Sequence, residues 1–173
     1  MTTGQRSGEA AIEVVEYDAT WPARFLEERA LLERALAPWL FGTIEHIGST
    51  AVPGLVAKPV IDVMAPVSTL DASRPAVDVL STVGYQYSDY KGDVMHWFCK
   101  PSFAFRTHHL HLVPMGSSLW RERLVFRDAL RGDPTLAAEY AALKRELAVK
   151  FRFDREGYTD AKSGFVRRVL ESV

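Results

Sequence analysis

Asp62 stands inside an apolar run, Val60-Ile61-Asp62-Val63-Met64. Such a run reads as a buried strand, where a carboxylate is costly to desolvate unless it has a ligand or a partner. A carboxylate near a strand end can hold Mg2+, which in turn grips phosphate oxygens. Asp62 can equally be a structural acid paired with Lys58 or an Arg. Upstream lies Gly48-Ser49-Thr50-Ala51. Small residues let a backbone approach a ligand closely, and the Ser49 and Thr50 hydroxyls suit phosphate oxygens. The segment lacks the Gly-Lys-Ser/Thr ending of a Walker loop and the spaced glycines of a dinucleotide fingerprint. A tight turn, with Pro53-Gly54 as a second one, accounts for the same residues.

His108, His109 and His111 form a second group. On a strand, 109 and 111 share one face while Leu110 and Leu112 point into the core. Imidazole pairs suit Zn2+ or another transition ion better than Mg2+; they also serve phosphate binding or proton transfer near neutral pH. Their spacing matches no recognised zinc pattern, so polar histidines on a strand face are the plain alternative. His96 faces His109 if a hairpin turns near residue 102, and His46 adjoins the glycine turn.

Lys58, Lys144 and Lys162 are the basic candidates for an anionic ligand. Lys144 follows Tyr140 by four residues, and Lys162 follows Tyr158 by four, so each pair shares a helix face. A Lys so placed can reach over a sheet toward a polyphosphate, although a helix Lys is more often a solvated charge. Arg127 and Arg131 have the same spacing, with Asp128 as a salt-bridge partner between them.

These groups need strands and helices to bring them together. Ile12 to Tyr17 alternates as a short strand. Thr20 as N-cap, Pro22 in the first turn, and Phe25, Leu32, Leu36 and Leu40 at helical spacing predict the first helix. Strands are expected at Thr43 to Ile47 and Val60 to Val67, then a helix capped by Ser73 and ending near Gly84. Further strands fall at Tyr85 to Tyr90, Val94 to Lys100 and Arg106 to Pro114, the last two hairpinned across Pro101-Ser102-Phe103. From Ser117 onward the chain reads helical: one helix stops at Gly132, one starts at Asp133-Pro134, and one begins near Thr159. Mixed strands and helices followed by helices give an α+β class.

The string from Glu45 to Val63, with its Gly-Ser turn and its Asp on the next strand, resembles the active-site signature of the polymerase-β-type nucleotidyltransferases. In particular it is similar to the GrpB family. The likeness extends to Val15-Glu16-Tyr17-Asp18, Trp21-Pro22, His109-Leu110-His111-Leu112-Val113, Phe126-Arg127-Asp128, and Tyr158 with Lys162 and Phe165. It covers nearly the whole chain from Ile12 onward. The resemblance implies a nucleotidyltransferase-like mixed sheet with flanking helices and a helical C-terminal part.

It also implies catalytic or metal-holding roles for Asp62, His109 and His111, and phosphate or ligand contacts for Gly48, Ser49, Thr50, Lys58, Lys144 and Lys162. Catalytically complete relatives in that superfamily carry a second acid two residues after the first, where this chain has Met64. A thioether is no ligand for a hard ion, so the usual two-carboxylate cradle for Mg2+ is broken. The superfamily's third acid falls on the 106–114 segment, where histidine stands. The resemblance thus leaves several readings open. One is a transferase of nucleotidyl or phosphoryl groups. Another is a non-catalytic nucleotide- or metabolite-binding module, accessory to coenzyme A metabolism because some relatives are fused to dephospho-coenzyme A kinase. A third is a ligase-like enzyme.

Composition narrows the field. A chain of 173 residues fits one domain, expected over 12–173 after a flexible tail at 1–11. Net charge is −1, which gives no general attraction to nucleic acid or an anionic membrane. Cys99 is the lone cysteine, so no intrachain disulfide can form, which fits a reducing cytoplasm. No run approaches membrane-spanning length. The expected partner is a nucleotide or other phosphorylated small molecule.

Overall fold

The computed structural model describes residues 10–173, so most of the tail expected at 1–11 lies outside the described residues. Its centre is a five-stranded mixed sheet. The strands are β1 (Glu45–Ile47), β2 (Ile61–Val67), β3 (Gln86–Ser88), β4 (His96–Pro101) and β5 (Arg106–Pro114), ordered β1-β2-β5-β4-β3. β2 and β5 pair in parallel at the middle; the other pairings are antiparallel. Alternation sends Ile61, Val63, Ala65, Leu110, Leu112 and Phe98 to one face, and all six are fully buried. There they meet helix α1 (Trp21–Ala35) and the short helices α2 (Leu70–Ser73) and α3 (Ala76–Ser81). Met64, Trp97, Cys99 and Val113 pack on the other face with Trp120 of α4 (Ser118–Gly132).

Helices α4, α5 (Pro134–Lys150) and α6 (Arg155–Glu171) form the helical part. Ser117 accepts from the Trp120 N–H, Asp133 from Thr135 and Leu136, and Asp154 from Gly157. Each cap satisfies amides that a helix start leaves open. A further apolar cluster, Val52, Leu55, Leu130 and Tyr140 with Phe126 and Phe165, ties these helices to the loop after β1.

Several local expectations shift. Ile12 to Tyr17 is not a strand: Val15 makes only an isolated bridge with Ala57. The helix expected from Ser73 starts earlier, because extended Thr69 provides the cap to Ala72, and it breaks into α2 and α3 around Arg74-Pro75. Ser73 instead turns its hydroxyl back to the Thr69 and Leu70 carbonyls. α6 begins before Thr159; the signal was Asp154 capping Gly157, whose missing side chain leaves room for that carboxylate and for Phe151.

Candidate functional site

Asp62, His109 and His111 leave the same face of the sheet. Asp62 sits in register beside His109 on the parallel neighbour, and Met64 beside His111. His109 Nδ1 lies 3.1 Å from Asp62 Oδ1, and His111 Nε2 lies 3.6 Å from the same oxygen. One ligand-type atom from each residue lies within 4.8 Å of the others. His111 Nδ1 rests 3.4 Å from Met95 Sδ. The Nε2 atoms of His109 and His111 are buried without a hydrogen-bond partner. Burial alone would raise the Asp62 carboxyl, but the two imidazoles outweigh it and hold its pKa well below the usual carboxylate range. Burial pushes His111 down, against the pull of Asp62. A carboxylate with two imidazoles, one ligand atom from each within 4.8 Å of the others, is a donor set that fits a metal ion.

Asp62 keeps its place because the residue behind it is Gly48. A Cβ at Gly48 would lie 2.7 Å from Asp62 Oδ2, and the backbone there has φ +74, which L side chains rarely adopt. The glycine thus makes room for the carboxylate. Ser49 follows and lines the cleft together with Tyr140. Thr50 corrects the expectation of a phosphate-binding hydroxyl. It is 1% exposed, its Oγ1 lies 2.9 Å from His46 Nε2, and it donates to the Val60 carbonyl at 3.3 Å. That hydroxyl supports the loop from inside.

The triad lies on the floor of a cleft of about 1170 Å3 that the C-terminal helices wall in. Ten Lys or Arg and only four Asp or Glu line it, which makes it a strongly positive hollow in a chain of net charge −1. Lys58, Lys144 and Lys162 all line this cleft, one from the loop before β2 and one each from α5 and α6. Lys144 is fully buried; it donates to the Val56 carbonyl and lies over the Tyr140 ring. Lys58 and Lys162 approach the Tyr158 ring at 5.1 and 4.2 Å. Burial, then the charges of Lys162 and Lys58, lower the Lys144 pKa to about 6. Burial, then Lys58, lowers that of Lys162 to about 7. Among the described residues, neither Lys144 nor Lys162 forms an ion pair with a carboxylate.

Other candidates lie elsewhere. His96 does not face His109: β4 runs through Pro101, so Cys99 takes that place and His96 falls opposite Leu112. The odd shift turns His96 to the other face, where its Nε2 meets the Leu70 carbonyl at 2.8 Å. His108 is also on that face, 3.6 Å from Glu28, which in turn bonds Lys100 and the Tyr85 hydroxyl. His46 is buried there, stacked on Phe25. Asp62 has His109 and His111 as its close partners. Arg127 bonds Glu45, Asp128 and the His46 carbonyl, and Arg131 bonds the Ala51 carbonyl, so both hold the glycine loop from behind. Arg123 was passed over. It lines the cleft, and its charge is felt at His111 and Lys162.

Comparison with known proteins agrees with this architecture. Residues 11–172 match the GrpB family, described as GrpB protein. A UPF0157 protein of Pseudomonas aeruginosa is 41% identical over 175 residues, spanning 96% of this chain and 71% of that protein. A crystal structure of conserved protein GrpB from Enterococcus faecalis superposes with a TM-score of 0.83 at 30% identity, covering 92% of this chain and 96% of that one. A dephospho-CoA kinase of Mycolicibacterium paratuberculosis is 27% identical over 188 residues, which is 91% of this chain but 45% of the kinase.

Proposed function

The chain belongs to the GrpB family, and from that premise we propose that it binds a nucleotide or related phosphorylated small molecule in this cleft, with a divalent cation, and transfers a nucleotidyl or phosphoryl group. The observation that carries this reading is that the buried Lys144 and half-buried Lys162, without a carboxylate ion pair among the described residues, line the same cleft as the Asp62–His109–His111 triad. Like charges brought together under burial are unfavourable without an anion to neutralise them. A polyphosphate supplies that anion, and the lysines would hold it as point charges. When bound, a metal ion offsets developing charge on phosphate oxygens. The chain's own residues orient the phosphates and, through the helical wall, limit water. The experiment is calorimetry with ATP on wild type, Lys144→Met and Lys162→Met. Affinity should fall by about 10- to 100-fold in each variant, in line with loss of a charged hydrogen bond. Unchanged affinity in both overturns the reading.

One observation favours a second reading, a binding module that does no chemistry. Met64 is fully buried against Ile47, Trp97 and Trp120, so the position of the second acid serves packing. The partial likeness to a dephospho-CoA kinase suits such a module working beside a nucleotide-using enzyme. Labelled ATP offered with a panel of acceptors separates the two: binding without labelled product supports the module.

A further inference from the structure

The resemblance to carboxylate-based transferases implies Mg2+, and the residues present do not fit that ion. Mg2+ demands oxygen ligands in near-octahedral array and is held through carboxylates, waters and phosphates. Here one carboxylate faces two imidazoles, and Met64 closes off the neighbouring position with a buried thioether. No other Asp or Glu joins the group among the described residues. We propose that Asp62, His109 and His111 form a transition-metal site, a two-histidine, one-carboxylate cluster for an ion such as Zn2+ or Co2+. This rests on the reading of the same cleft as the functional site.

Geometry supplies the case. His111 Nε2 lies 3.6 Å from Asp62 Oδ1, and when an ion takes the Nε2 lone pair the ring proton sits on Nδ1, 3.4 Å from Met95 Sδ. In His109, Nδ1 bonds Asp62 and Nε2 is left buried and unpartnered. A buried imidazole nitrogen without a partner is destabilising, and a borderline-soft ion relieves it where Mg2+ does not. The backbone sets the cluster in advance. Parallel neighbours stand about 4.8 Å apart, and His109 and His111 are one alternation apart on a single face. All three donors come from the sheet side, which leaves the cleft side open. Three protein ligands with open positions is the arrangement of sites where a metal meets a ligand. Gly48 fixes the back of Asp62, so the carboxylate has little freedom to turn away.

Equilibrium dialysis of the full chain against Zn2+, Co2+ or Mg2+ alone, with metal counted by mass spectrometry, tests this. The expected result is one Co2+ or Zn2+ per chain, bound at least about 100-fold more tightly than Mg2+. Both His109→Gln and His111→Gln should lose that binding. Visible absorption of the Co2+ form of wild type gives a second reading that needs no variant: bands shifted from those of hydrated Co2+ support the site. Mg2+ binding as tight as Co2+, stoichiometry unchanged in both variants, or a spectrum of hydrated Co2+ alone would each overturn it. ATP binding measured in EDTA reports on the lysines separately. ATP affinity that persists in EDTA while Co2+ fails to bind rejects the metal site and leaves the phosphate reading standing. Tight Co2+ without ATP binding does the reverse.

Discussion

Gly48 and Asp62 are in contact across the turn from β1 to β2, so close that the smallest side chain at 48 would strike the carboxylate. Glycine at this position is therefore a requirement of the acid. Gly48→Ala should displace Asp62 and strain a backbone of positive φ, lowering stability by about 1–3 kcal/mol. Metal retention should fall with it. Thermal melts and dialysis on the same sample check both, and a variant with wild-type melting and metal content would refute the steric argument.

Asp62→Asn keeps the shape and one acceptor oxygen for His109 while removing the charge. Stability should drop by only about 1 kcal/mol, the difference between a charge-assisted and a neutral hydrogen bond. Metal binding should be lost. Denaturant unfolding with and without Co2+ measures it: wild type gains stability from the ion and the variant should not.

Lys144→Met replaces a buried lysine, whose charged form burial disfavours, with an apolar side chain of similar length. The variant should melt higher, by roughly 1–3 kcal/mol of stability, because the cost of stripping the Lys144 proton on folding is gone. ATP affinity should fall in the same protein. The pH dependence has a definite sign. The Lys144 pKa is about 6 in the folded chain against 10.5 unfolded, so the unfolded chain holds the extra proton between these values. Stability linked to Lys144 is fully present above 10.5 and is lost as pH falls toward about 6. Lys162 acts the same way down to about 7. Melting curves from pH 6 to 9 should therefore slope upward in wild type and less steeply in Lys144→Met.

His46 predicts an acid limb. Burial, opposed by Asp62, lowers its pKa to about 4 from 6.5. The stability it contributes is intact above 6.5 and lost as pH falls to about 4, on the order of 2–3 kcal/mol across that window. His46→Gln should flatten this part of the profile in circular dichroism melts. An equally steep limb in the variant would place the titration elsewhere.

The sheet and its faces were legible because alternation is a local signal: Leu110 and Leu112 against His109 and His111 reads directly from the chain. Asp62 was legible for the same reason, as one charge in an apolar strand. Register was not. The place of His96 depended on where a turn closes, and a three-residue difference carried it through the sheet. Thr50 and Ser49 look alike in sequence, yet the Thr50 hydroxyl points inward to Val60 while Ser49 lines the cleft beside Tyr140. Such choices come from packing between elements far apart in the chain, which no local pattern encodes. Lys58 was legible as a basic residue, but its shared place with Lys144 and Lys162 required the helices to be docked.

The parallel pairing of β2 with β5 has a kinetic consequence. Parallel neighbours cannot be joined by a tight hairpin, and the contact between His109 and Asp62 closes across 47 positions of chain. Closing so wide a loop is entropically slow, and the segment between must first fold out and back through α2, α3, β3 and β4. The cluster therefore comes into existence late, after the sheet's two halves have met. A Co2+ absorption signal followed during refolding would time that meeting directly, lagging the helical signal of α4, α5 and α6, whose contacts are local.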